Sequence, residues 1–147
     1  MILISHRGNT NGGNPENENT SEYIEDALAL GYHVEVDVWF VQDKLLLGHD
    51  QPEYNVDVSF LQNDRLWCHC KNKEALAKLL NHNVHCFFHD TDDVTLTSKG
   101  YVWVYPTKET LEGSICVLPE LHQCKKQDID RCIGICSDYI ANYKDFA

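Results

Sequence analysis

The chain has 147 residues, 43% of them hydrophobic and 24% charged, which suits one domain with a real core and is too short for two. A formal net charge of −11 argues against nucleic acid or an anionic membrane surface as a partner, since both select for Lys and Arg. No stretch reaches the apolar length of a membrane span, and Met1-Ile2-Leu3-Ile4 runs at once into Ser5-His6-Arg7 with no signal-peptide pattern, so a cytoplasmic location is expected.

Strand-like and helix-like stretches alternate along the chain. Ile2 to Ser5 reads as a first strand, and Asn9 to Pro15 is rich in turn formers and reads as a loop. A helix is expected from about Thr20 to Leu30, with Asn19 or Thr20 as its N-cap and Gly31 in the left-handed position past its end. Tyr23, Ile24, Ala27, Leu28 and Leu30 form its apolar stripe. Next come a strand His33–Phe40, a turn at Gln42-Asp43-Lys44, and a strand Leu45–Gly48. Residues 50–64 carry no strong pattern beyond one helical turn near Val58–Phe60.

The second half continues with strands at Leu66–Lys71, Val84–Phe88, Thr95–Thr97, Tyr101–Tyr105, Ile115–Leu118 and Gly134–Ser137. Helices are expected at Lys73–Asn81 and Asp128–Ile133, and a helix or tail at Tyr139–Phe146. This order implies a parallel sheet with right-handed crossovers. The fold class expected is α/β, a compact, reduced TIM-type (β/α) barrel with several crossover helices shortened or missing. Full barrels of that type need roughly 250 residues, and the crossovers 91–100 and 107–114 are too short for complete helices.

The seven cysteines (Cys68, Cys70, Cys86, Cys116, Cys124, Cys132 and Cys136) are an odd set inside strand-like runs, which predicts reduced, buried thiols. Cys68-His69-Cys70 lacks the two-residue gap usual in zinc sites.

Chemistry-bearing residues gather where strands should end, the edge at which parallel α/β folds collect their ligands. Glu35 and Asp37 are two apart on a strand and leave the same face, where two carboxylates repel each other unless a hard cation joins them. His69 and Lys71 repeat that spacing. His69 is placed to complete a metal shell, and Lys71 to neutralise a phosphate oxygen. Arg7 suits bidentate phosphate recognition, and His6 and His49 are the natural acid–base pair, one for the attacking oxygen and one for the leaving alcohol. His89, Trp103 and Glu120 end later strands and are supporting candidates, although Trp103 also fits a core position and Asp90-Thr91-Asp92-Asp93 a solvated loop.

The ordered motifs His6-Arg7-Gly8, Glu18-Asn19-Thr20, Glu35-x-Asp37 and His49-Asp50 resemble those of the glycerophosphodiester phosphodiesterase family, within the phosphatidylinositol-phospholipase-C-like barrels. The likeness covers about residues 2–50, with weaker echoes at His69-Cys70-Lys71 and Ile135-Cys136-Ser137-Asp138-Tyr139. The resemblance implies one divalent cation, Mg²⁺ or Ca²⁺, held by Glu35 and Asp37. It implies His6 and His49 as acid and base, Arg7 and Lys71 as phosphate contacts, and Glu18 near the metal or bracing Arg7. The substrate class implied is a glycerophosphodiester or a related polyol or sugar phosphodiester, cleaved through a cyclic phosphate.

Two departures stand out. His69 occupies a position where that family carries Glu, which admits softer cations such as Mn²⁺. The chain is also much shorter than the family's members. Alternatives from other classes are a phosphate- and metal-binding module without turnover, and a sphingomyelinase-D-like lyase. Nothing in the sequence fixes the oligomeric state.

Overall fold

The computed structural model describes residues 1–121 and 124–146. Among the described residues there are ten strands: β1 Ile2–His6, β2 His33–Val41, β3 Lys44–Leu47, β4 Tyr54–Asn55, β5 Leu66–Cys70, β6 Cys86–Phe88, β7 Val94–Leu96, β8 Val102–Val104, β9 Ile115–Val117 and β10 Gly134–Ser137. The α-helices are few and short: α1 Ser21–Ala29, α2 Val58–Leu61, α3 Lys73–Leu80 and α4 Lys126–Asp130. The segments Pro119–Leu121 and Ile140–Phe146 are 3₁₀ turns, so the helix or tail expected at the C-terminus is 3₁₀.

All ten strands belong to one mixed sheet. Its parallel body runs in the order β6-β5-β2-β1-β10-β9-β8. Strand β7 adds antiparallel to β8, and the hairpin β3–β4 extends the far end of β2. The sheet curls into a half-barrel, which corrects the TIM-type barrel with alternating helices expected from the sequence. Among the described residues no ladder closes β6 onto β7 or β8. Thr95 Oγ1 donates to the Phe88 carbonyl and Ser98 N to that of Cys86, and these isolated bonds stand where a ladder would be. The physical reason is chain length: residues that would build a crossover helix between β6 and β8 are spent on β7 and its turns.

Period-two alternation decides what faces each side of the curl. Val34, Val36 and Val38 of β2 point outward and pack with Leu66, Cys68 and Cys70 of β5 beneath Ile24, Ala27 and Leu28 of α1 and Ala75 and Leu79 of α3. The cap of α1 is the expected one: Tyr23 N donates to Thr20 Oγ1, and Gly31 has φ +94°. All seven cysteines are free, and six of them are buried, with Cys124 half-buried. No helix among the described residues is long and apolar enough to cross a membrane.

Inside the curl, Ile4, Trp67, Phe87, Trp103, Ile115, Val117 and Cys136 form an apolar floor. Trp103 is core, and it packs on Phe87 at a centroid distance of 4.7 Å. Above this floor, toward the C-terminal ends of the parallel strands, the inward positions become His6, Glu35, Asp37 and His69.

The floor contains one buried base. His85 packs on Trp67 at 4.3 Å between ring centroids, and its Nε2 lies 3.0 Å from Thr97 Oγ1. Burial, reinforced by Lys99 and His33, lowers its pKa from 6.5 to about 4. The unfolded chain therefore takes up this proton first, so the contribution of His85 is whole above pH 6.5 and is lost as pH falls toward 4. His85→Gln, which keeps a hydrogen-bonding group for Thr97, is expected to flatten this acid limb. Urea unfolding midpoints measured across that pH window check it, and parallel curves for wild type and variant would contradict the assignment.

Candidate functional site

The site forms at the end of β1, where Arg7 (φ 56°) and Gly8 (φ +95°) reverse the chain. A Cβ on Gly8 would press into the Tyr23 ring, so glycine lets the loop pass close over α1. Arg7 N donates to the Glu35 carbonyl and Asn19 N to that of Arg7, which ties β1, β2 and the start of α1 to one point. At the end of β3, Gly48 (φ +147°) sits where a Cβ would overlap the Gln51 carbonyl oxygen. Its own carbonyl accepts from Trp39 Nε1 at 2.6 Å, and this turn presents His49 to the same side.

Glu35, Asp37 and His69 lie side by side, with one ligand atom from each within 4.8 Å of the others. His69 Nδ1 is 3.2 Å from Asp37 Oδ1 and 3.7 Å from Glu35 Oε1. Its other nitrogen, Nε2, donates to the His89 carbonyl at 3.3 Å, and its ring stacks on Phe87 at 5.1 Å. That bond places a proton on Nε2 and turns Nδ1 toward two carboxylates, the arrangement that ligating histidines use once Nδ1 gives up its proton. Glu35 Oε2 and Asp37 Oδ1 are buried with no hydrogen-bond partner among the described residues. Buried carboxylates that converge in this way are stabilised by a positive charge between them. The group could hold a metal ion.

The surrounding charges are arranged around Asp37, which is completely buried. Arg7 Nε lies 2.9 Å from its Oδ2 and Lys71 Nζ 3.4 Å from its Oδ1. Asn19 donates from Nδ2 to Asp37 Oδ2 and accepts from the Asp37 backbone N–H. Burial alone would raise the Asp37 pKa, but the His69 contact and the charges of Arg7, His69 and Lys71 hold it well below the usual carboxylate range. Glu35 goes the other way: burial and the negative charge of Asp37 raise its pKa.

The two imidazoles border the same cleft of about 500 Å³, together with Arg7, Glu35, His69 and Lys71. His6 Nδ1 lies 2.7 Å from Asp138 Oδ1, and its Nε2 lies 3.8 Å from Glu35 Oε2. Burial opposes its protonation, but Asp138 and Glu35 outweigh burial and raise its pKa. His49 is more exposed, with Nδ1 2.7 Å from Asp50 Oδ1, and burial and Arg7 lower its pKa. Each ring thus has Nδ1 engaged by a carboxylate and Nε2 left for another partner.

Every candidate named from the sequence can be placed. Glu18 braces Arg7 through Nη1 at 3.3 Å and accepts from Asn9 at 2.8 Å, whereas Glu16 is exposed. His89 is buried and lines the cleft with Trp103. Asp90 lines it too, and Asp92 and Asp93 belong to an exposed loop. Glu120 does not reach the cleft. Its Oε1 accepts from Ser137 Oγ and Asp138 N, so it holds the end of β10. Sequence reasoning passed over Asn9, Asn19 and Asp138 as site residues. Asn9 Nδ2 bridges Glu18 and Asp138, and Asn19 tethers Asp37. The available signal was the place of Asn19 inside Glu18-Asn19-Thr20 and of Asp138 at a strand end.

Compared with protein-family models, curated proteins and solved structures, the chain matches none.

Lys71 and a divalent cation would compete for Asp37 Oδ1. Lys71→Met is therefore expected to tighten cation binding several-fold by removing a rival charge at close range. Glu35→Gln, Asp37→Asn and His69→Ala are each expected to weaken it by ten-fold or more. Calorimetric titration with Mn²⁺, Mg²⁺ and Ca²⁺ measures both effects. Unchanged affinity in all four variants would place any cation elsewhere.

Proposed function

We propose that the chain is a metal-dependent phosphodiesterase acting on a glycerophosphodiester or a related polyol or sugar phosphodiester, similar in chemistry to the glycerophosphodiester phosphodiesterases. The observation that carries this reading is the meeting of two carboxylate-engaged imidazoles, two cationic side chains and a buried metal-ligand group on one cleft. A structural core has no use for that set, because each member costs desolvation unless a charged ligand joins them.

Glu35, Asp37 and His69 would hold the cation, and the converging buried oxygens and the Nδ1 edge of the imidazole fit one. Mg²⁺ and Ca²⁺ suit the carboxylates, and the imidazole extends the range to Mn²⁺. When bound, the cation supplies polarisation of a phosphoryl oxygen and neutralises developing negative charge. Arg7 orients the phosphate: a guanidinium has five donors, and its contacts with Asp37 and Glu18 engage Nε and Nη1, leaving the Nη2 pair. Lys71 adds a second positive charge over the same oxygens.

His6 and His49 move the protons. With Nδ1 of each turned to a carboxylate, Nε2 is the working atom of both rings. One accepts the proton of the attacking oxygen, and the other donates to the departing alcohol. The attacking oxygen in this reading is a substrate hydroxyl next to the phosphate, so a cyclic phosphate forms first and water opens it in a second round with the roles of the rings exchanged. Asp138 fixes the tautomer and orientation of His6, and Asn9 and Glu120 hold Asp138 in turn.

A second reading, a binding module without turnover, is favoured by the claim of Arg7 and Lys71 on Asp37. One assay separates the two: hydrolysis of glycerophosphodiesters with each of the three cations, with bis-p-nitrophenyl phosphate, which lacks the attacking hydroxyl, as a control expected to stay intact. The proposal expects cation-dependent turnover, and His6→Ala and His49→Ala are each expected to lower it by about 10²–10⁴-fold. Hydrolysis that survives loss of both imidazoles would contradict their assignment, and cation binding without any turnover would favour the module.

A further inference from the structure

The metal-ligand group, Arg7 and Lys71 account for only one wall of the cleft. The opposite wall comes from β6, β8 and β9 and the turns that follow them. At its base lies His89, only 9% exposed, with neither ring nitrogen hydrogen-bonded among the described residues. A buried imidazole with both nitrogens unmatched is uncommon and calls for an explanation. Its position is set from two sides. The ring packs against Tyr105 at 4.7 Å between centroids, and its carbonyl accepts the His69 Nε2 proton. The same bond that orients the metal-ligand imidazole therefore anchors His89 beside it, with the two ring centroids 6.3 Å apart.

The backbone of this wall is also strained where it meets the cleft. Thr107, a β-branched residue, has φ 72°, and Leu118 has φ 46°. Both border the cleft, and such conformations persist where the surroundings over-determine them, commonly at ligand sites.

We infer that His89 is the specificity-determining residue for the alcohol moiety of the substrate, reading a hydroxyl on a polyol or sugar while Tyr105 and Trp103 cover the carbon skeleton. This rests on the phosphate reading of the neighbouring wall. An imidazole offers one donor and one acceptor, the complement of a hydroxyl group. A second phosphate is disfavoured here, because Asp90 lines the same end of the cleft and the cationic side chains stand at Asp37. His89 also lies outside the metal-ligand group, so it is not needed to complete that shell.

The test is equilibrium binding of two phosphomonoesters of equal charge, glycerol 3-phosphate and ethyl phosphate, by calorimetry in the presence of Mg²⁺. Wild type is expected to bind the glycerol ester at least about fivefold more tightly, since a buried polar group left unmatched by ethyl phosphate is costly. His89→Phe, which retains an aromatic ring against Tyr105, is expected to equalise the two without weakening ethyl phosphate. His89→Gln keeps a donor and an acceptor and is expected to keep part of the preference. Equal affinities in wild type, or an equal loss for both esters in His89→Phe, would overturn the inference. Failure of wild type to bind either ester would bring down the phosphate reading with it. Discrimination that persists in a protein with no diesterase turnover would uphold His89 and refute catalysis alone.

Discussion

The structure turns on a conflict of like charge in a dry place. Two carboxylates two residues apart on one strand face inward, and both are almost completely buried. Their oxygens meet the Nδ1 edge of an imidazole whose orientation is fixed from behind by a backbone carbonyl. Burying charge costs several kcal/mol per ion even after relaxation, so the surroundings must answer it. Arg7, Lys71 and Asn19 answer it on the Asp37 side, which leaves the Glu35–His69 side as the place where positive charge is still called for. That asymmetry also explains the opposite pKa shifts of the two acids.

The curl of the sheet makes the conflict possible. A flat parallel sheet would present Glu35, His69 and His6 along a broad face. Curling brings β1, β2 and β5 round an apolar floor and lifts the polar ends of the strands into one rim. Aromatic rings of that floor, Phe87 above all, support the rim from below. Outward-facing Val and Cys residues, covered by α1 and α3, keep β2 and β5 in register.

Much of this was legible in the sequence because it depends on short-range pattern. The alternation Val34-Glu35-Val36-Asp37-Val38 sends valines one way and acids the other, and Leu66 to Lys71 does the same for His69. Thr20 as cap and Gly31 as terminator follow from local backbone chemistry. What escaped depends on contacts distant in sequence. The tether of Asp138 to His6 spans 132 positions, and no local pattern announces it. Asn9 reads as a loop former and Asn19 as a helix cap, because their amides find site partners only once the chain has folded. Barrel closure failed as an expectation for a related reason. A short strand near Thr95 was readable, but that it doubles back antiparallel on β8 depends on the edge that β8 offers.

The central claim is that a cation belongs between Glu35, Asp37 and His69. Anomalous diffraction from crystals soaked in Mn²⁺ tests it most directly. The account predicts a single strong peak with an oxygen of each acid and Nδ1 of His69 at coordination distances, roughly 2.0–2.6 Å. A peak elsewhere, or no peak and a proton on His69 Nδ1 bonded to Asp37, would contradict it.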